Sequence, residues 1–169
     1  YIALEFARRY RSRLRGLVLM DTRAETDASE VRKAREAAMQ LAREKGAGAI
    51  ATQLVPSLFA PGADKLMPQA VERVRSMIEG APVKGIVGAL AAMRDRPDST
   101  ATLAELEGLP TLVVVGDQDM ISPPAVARAM SGAIPGAMLS IIPGAGHLPP
   151  VEQPIATTRV LTEFLQSLP

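Results

Sequence analysis

A chain of 169 residues has the length of one ordinary domain and enough material for a sizeable core. With 47% hydrophobic and 22% charged residues the composition is that of a folded protein, and a net charge of +1 offers no electrostatic case for nucleic acid. The absence of cysteine excludes disulfides, thiolate metal ligands and a cysteine nucleophile together, and with one histidine a zinc site would have to be built from carboxylates.

In chain order, residues 1–11 carry Ile2, Leu4, Phe6, Ala7 and Tyr10 among charged neighbours, the spacing of a helix with one buried side. Leu14 to Met20 is a short apolar run closed by Asp21-Thr22, which predicts a buried strand. From about Ala28 the texture turns helical. Ser29 is expected to cap a helix over 31–44, with Gly46 and Gly48 at its end, and residues 49–58 form a second apolar segment interrupted at Pro56 and Pro61. Pro68 and Pro82 stand where helices over 69–79 and 83–94 would begin, and Arg96-Pro97-Asp98 breaks the pattern. Met39, Met67, Met77 and Met93 could line an adaptable apolar pocket or be plain core.

After a short helix from Ser99 to Leu106, the mostly β-branched run Thr111 to Val115 predicts a strand covered on both faces. Pro123-Pro124 opens a helix to about Ile134. Residues 136–143 read as the next strand, and Pro154 to Leu168 as the last helix. That alternation is an α/β pattern. No apolar stretch reaches the roughly 18 residues needed to cross a bilayer, so no membrane association is expected. The chain begins at Tyr1 without a leader pattern, and the expectation is a cytoplasmic protein that has lost an N-terminal part.

The chemistry concentrates in two loops. Gly116-Asp117-Gln118-Asp119 leaves one predicted strand, and Gly144-Ala145-Gly146-His147 leaves the next. In open α/β sheets functional residues gather beyond the carboxyl ends of strands. A carboxylate there can hold an imidazole Nδ1–H and leave Nε2 as a base, which is the logic of an acid–base pair in a hydrolytic triad. Asp119 and His147 are the candidate catalytic residues. Asp117 is a competing acid that could instead brace the turn. Ser122 reads as the cap of the next helix; its surroundings lack the strained elbow that exposes a nucleophile, and no Gly-x-Ser-x-Gly occurs in the chain.

These runs resemble the C-terminal part of an α/β-hydrolase-fold enzyme, in the esterase, enol-lactonase and cofactor-free haloperoxidase branch. Gly116 and Asp119 match the family's Gly-x-x-Asp turn after its seventh strand, and His147 matches the base loop after the eighth. Tyr1 to Ala7 is similar to the helix that follows the nucleophile elbow, Leu17 to Thr22 to the sixth strand, and Leu148 to Pro154 to the start of the final helix. The resemblance implies an α/β fold of about three parallel strands with flanking helices plus a helical cap. It divides the chain into core at 1–27, cap at 28–97 and core at 98–169. It also implies a carboxylic ester or lactone hydrolase acting through a serine acyl-enzyme, with Asp119 and His147 as acid and base, a small ester or lactone as substrate, and neither cofactor nor metal. In the family the serine lies before the position matching Tyr1, and some members carry the acid after the sixth strand, a position that the resemblance gives to Asp21. The alternatives are a chain that is non-catalytic by itself, or a perhydrolase or haloperoxidase-type activity. An open apolar edge at Leu17 to Met20 leads us to expect a homo-oligomer or association with the missing N-terminal half.

Overall fold

The computed structural model describes residues 1–169. Three parallel strands form one sheet in the order β1-β2-β3: β1 at Leu17–Met20, β2 at Thr111–Gly116 and β3 at Met138–Ile142. Leu17 faces Thr111 at the start of the first pairing, and Gly116 faces Ile142 at the end of the second. β2 is buried at every position, as expected of a β-branched central strand covered on both faces.

The pleat of β2 divides the core in two. Val113 and Val115 join Leu17, Leu19, Leu106, Met130 and Ile134 in one cluster. Leu112 and Val114 join Ile142, Ala145 and Phe164 in the other. The first cluster is closed by α1 (Ile2–Tyr10), α6 (Thr100–Ala104) and α7 (Pro124–Ala133), and the second by α9 (Pro154–Gln166). A single turn, α8 (Pro149–Glu152), precedes α9. Each of α7, α8 and α9 begins with a proline in its first turn, where the missing N–H would have had no intrahelical partner.

The remaining helices are α2 (Ser29–Leu58), α3 (Ala63–Leu66), α4 (Pro68–Glu79) and α5 (Val83–Arg94). At Gly46 the backbone takes φ 79° and ψ −176°, values open to glycine alone, so α2 is two helical runs meeting at a kink. The first run thus ends at Gly46, where the sequence pattern placed its end, and the second runs on to Leu58. Pro56 does not interrupt that second run, because it sits in the last turn and removes one backbone bond, and the Ser57 hydroxyl donates to the Leu54 carbonyl at 2.8 Å. Ser29 is the first helical residue, not the cap, and its hydroxyl is turned to Glu30 at 2.7 Å.

Two compact units result. One comprises residues 1–24, 58–61 and 98–169; the other comprises 25–57 and 62–97. Residues 58–61 thus lie with the sheet, not in the helical stretch where the sequence pattern put them. In the helical unit a buried ion cluster joins the two chain ends: Asp27 pairs with Arg35 and, at 2.8 Å, with Arg96. Arg96 also donates to the carbonyls of Glu25 and Met93. The four methionines take different surroundings, with Met39 buried, Met67 and Met93 partly so and Met77 exposed, so they do not form one common lining. No helix is long and apolar enough to cross a membrane.

Candidate active site

β2 and β3 run side by side in the same direction, so the loops that leave them emerge together. Their backbones stay paired beyond the strands: the amide of Asp117 donates to the carbonyl of Ile142 at 3.0 Å, and that of Gln118 to Ala145 at 2.9 Å. The approach is close enough to demand glycine. A Cβ on Gly116 would stand 2.1 Å from the Gly146 carbonyl oxygen, and one on Gly146 would stand 2.5 Å from the backbone of Phe59 and Ala60. Steric room, with no need for a positive φ, fixes both positions. Gly144 is the member of the loop that does adopt a left-handed conformation, at φ 69°.

This packing brings Asp119 and His147 together. His147 Nδ1 lies 2.9 Å from Asp119 Oδ2. Asp119 is fully enclosed, while the imidazole remains 22% exposed and its Nε2 makes no hydrogen bond. The two carboxylate oxygens have separate tasks. Oδ1 accepts the backbone amides of Ile121 (2.7 Å) and Ser122 (3.0 Å), the local turn expected of an Asp before Pro123. Oδ2 accepts from the Ser122 hydroxyl (2.8 Å) and faces the ring. Burial alone would raise the Asp119 carboxyl, but the hydrogen bonds from His147 and Ser122 outweigh it and bring the group down to about 2. Asp119 is therefore a fixed anion across the neutral range, suited to orienting an imidazole and stabilising its charged form.

Ser122 does not cap α7, whose preceding residue is Pro123. Its Oγ is buried 3.3 Å from His147 Nδ1 and gives its hydrogen to Asp119. It sits on the wrong edge of the ring for Nε2 to deprotonate it. Asp117 does brace the turn: its Oδ1 accepts the Gly144 amide at 2.8 Å, and it makes no bond to His147.

Asp21 is nearer the pair than sequence reasoning suggested. It follows β1 with a left-handed φ of 45°, and its Oδ1 accepts the Gly116 amide at 3.1 Å. Burial, reinforced by the Asp119 and Glu152 carboxylates and opposed by the Gly116 amide and His147, pushes its carboxyl up to about 7. Asp21, Asp119 and His147 bring ligand-type atoms within 4.8 Å of one another. The facing Asp119 and His147 atoms are already joined, so a cation there would have to break that bond. The loops also contain one residue that sequence reasoning did not single out. Glu152, 5% exposed, accepts the amides of Gly146 (2.9 Å), Leu148 (3.2 Å) and Ala60 (2.6 Å). Its position five residues after the histidine, at the end of a single turn begun by two prolines, was the available signal.

A family model for the alpha/beta hydrolase fold matches residues 1–154. A thermophilic esterase from Thermogutta terrifontis is 43% identical with a TM-score of 0.94, over 98% of this chain and 61% of its own. A hydrolase from Pseudomonas aeruginosa is 29% identical with a TM-score of 0.86, over 97% and 60%. An enol-lactonase from Burkholderia xenovorans, 24% identical, shares the fold at a TM-score of 0.87 over 98% and 61%. The chain spans about three-fifths of the length of these structures. No curated protein matches it. With a parallel sheet that brings an acid and an imidazole together beyond adjacent strand ends, and a family match over nine-tenths of its residues, the chain belongs to the alpha/beta hydrolase fold family.

Proposed function

We propose that this chain carries the acid and the base of a carboxylic ester or lactone hydrolase that works through a serine acyl-enzyme. The observation that supports this reading most is the 2.9 Å contact from His147 Nδ1 to a fully buried Asp119, with Nε2 left open. In the reaction Nε2 takes the proton of an attacking serine hydroxyl and later returns it to the leaving alcohol. The new bond joins the serine oxygen to the acyl carbon, the ester C–O bond breaks, and water then releases the acid by the same route. Asp119 holds the tautomer and does not itself take the proton. The similarity to a thermophilic esterase at 43% identity favours an ester over other acyl groups.

The serine is supplied from outside these 169 residues, since none of them forms Gly-x-Ser-x-Gly and Ser122 faces the other ring nitrogen. Two outcomes follow for hydrolysis of p-nitrophenyl acetate and butyrate. The 169-residue chain alone turns over no faster than its His147→Ala variant. Once the serine-bearing segment is supplied, activity appears, His147→Ala abolishes it and Asp119→Asn lowers kcat by about 10⁴-fold. Activity that survives His147→Ala sinks the proposal.

A further inference from the structure

Glu152 ends α8 with its carboxylate folded back under the loop that presents His147. Because residues 149 and 150 are prolines, the amide donors between 146 and 150 are those of Gly146, His147 and Leu148. All three are taken. Glu152 Oε2 accepts the first and the third, at 2.9 and 3.2 Å, and the Leu58 carbonyl accepts the middle one at 3.0 Å. Glu152 Oε1 accepts the amide of Ala60 at 2.6 Å and so ties the segment that holds Leu58 to the same carboxylate. A buried carboxylate is costly unless its oxygens are met by donors, and here every donor is a backbone amide, two of them on either side of one histidine.

We propose that Glu152 is a positioning residue for His147: one carboxylate grips the backbone on both sides of the histidine and anchors the strand of chain that supplies its third bond. Two χ angles then separate the ring from a fixed backbone, and Asp119 at 2.9 Å removes the freedom that remains. Loss of the Glu152 acceptors frees the loop and loosens the Nδ1–Oδ2 contact with no change to either partner. The assignment rests on the reading of His147 as the base, but the hold on the ring can be measured apart from catalysis.

The chain has one histidine, so its imidazole gives a single, unambiguous set of NMR signals. The protein is expected to show one downfield Nδ1 proton protected from solvent. Glu152→Gln, which replaces an acceptor oxygen by a donor amide, should broaden that proton or lose it to exchange. Glu152→Asp, which keeps the charge and withdraws it by one methylene, should restore it in part. Leu106→Ala, a cavity in the core cluster on Val113 and Val115, lowers Tm and leaves the signal in place. Under the ester-hydrolase reading, Glu152→Gln also lowers kcat by up to about 10²-fold with KM held. An unchanged Nδ1 proton in Glu152→Gln overturns the assignment. So does an equal loss in Leu106→Ala, or failure of both Glu152 variants to fold, which would mark a purely structural residue. Hydrolysis that survives His147→Ala removes the proposed function and leaves the NMR result standing.

Discussion

Two aspartates within reach of one imidazole have been driven to opposite ends of the carboxylate range, and the causes are separable. Asp119 is deeply buried yet receives donors on both oxygens, so its anion is favoured; Asp21 receives one amide and faces other carboxylates, so its neutral form is favoured. The stability consequences run opposite ways. A carboxyl raised from 3.8 to about 7 holds a proton in the folded state over a range where the unfolded chain has released it, so stability falls as pH rises through that range. Asp119, lowered from 3.8 to about 2, contributes stability above 3.8 that is lost as pH falls through about 2. Asp21→Asn keeps an acceptor for Gly116 and tolerates the left-handed φ. We expect it to flatten the decline between pH 3.8 and about 7 and to be the more stable form above pH 7, read from urea midpoints across pH. Parallel profiles for the two proteins would mean that Asp21 titrates normally.

Elements here are held by different means. The sheet unit relies on apolar faces of alternate β2 residues, and the helical unit closes its chain ends with the Asp27–Arg35–Arg96 cluster. Burial would raise the Asp27 carboxyl, but its two arginines keep it below the ordinary value. Breaking such a buried cluster leaves guanidinium charge without a counterion, at a cost of about 3–5 kcal/mol. Asp27→Asn should therefore speed amide exchange in 25–57 and 62–97 more than in the strands, as read by hydrogen exchange. Uniform exchange across both units would contradict this. Sequence pattern located every strand and most helices because β-branched runs and proline-led helix starts are local signals. It placed the break at Gly46 but misjudged Ser29, which is the first residue of its helix, and Pro56, which a last turn tolerates at the loss of one backbone bond. Asp119 and His147, which the structure brings to 2.9 Å, could be singled out for the same local reason: each closes a glycine turn after a strand. The Glu152 bond to Ala60 and the Asp21 bond to Gly116 were not, since they join residues 92 and 95 positions apart.

At the scale of the whole molecule, β1 pairs with β2 alone and carries Leu17 and Leu19 into one core cluster, with Val18 and Met20 against the other. An edge strand with apolar residues on both faces invites a further strand. We expect the 169-residue chain by itself to self-associate with rising concentration, and light scattering that stays at the monomer mass would count against it. Residues 58–61 carry a different consequence. They are separated from the rest of the sheet unit in sequence, yet the carbonyl of Leu58 and the amide of Ala60 belong to the hydrogen bonds around His147. Grafting experiments that exchange the helical insertion between relatives must therefore use two junction pairs, replacing 25–57 and 62–97 as separate pieces. A single cut-and-paste from 25 to 97 would carry off a foundation stone of the His147 loop, and a chimera lost in this way would be misread as a change of substrate preference.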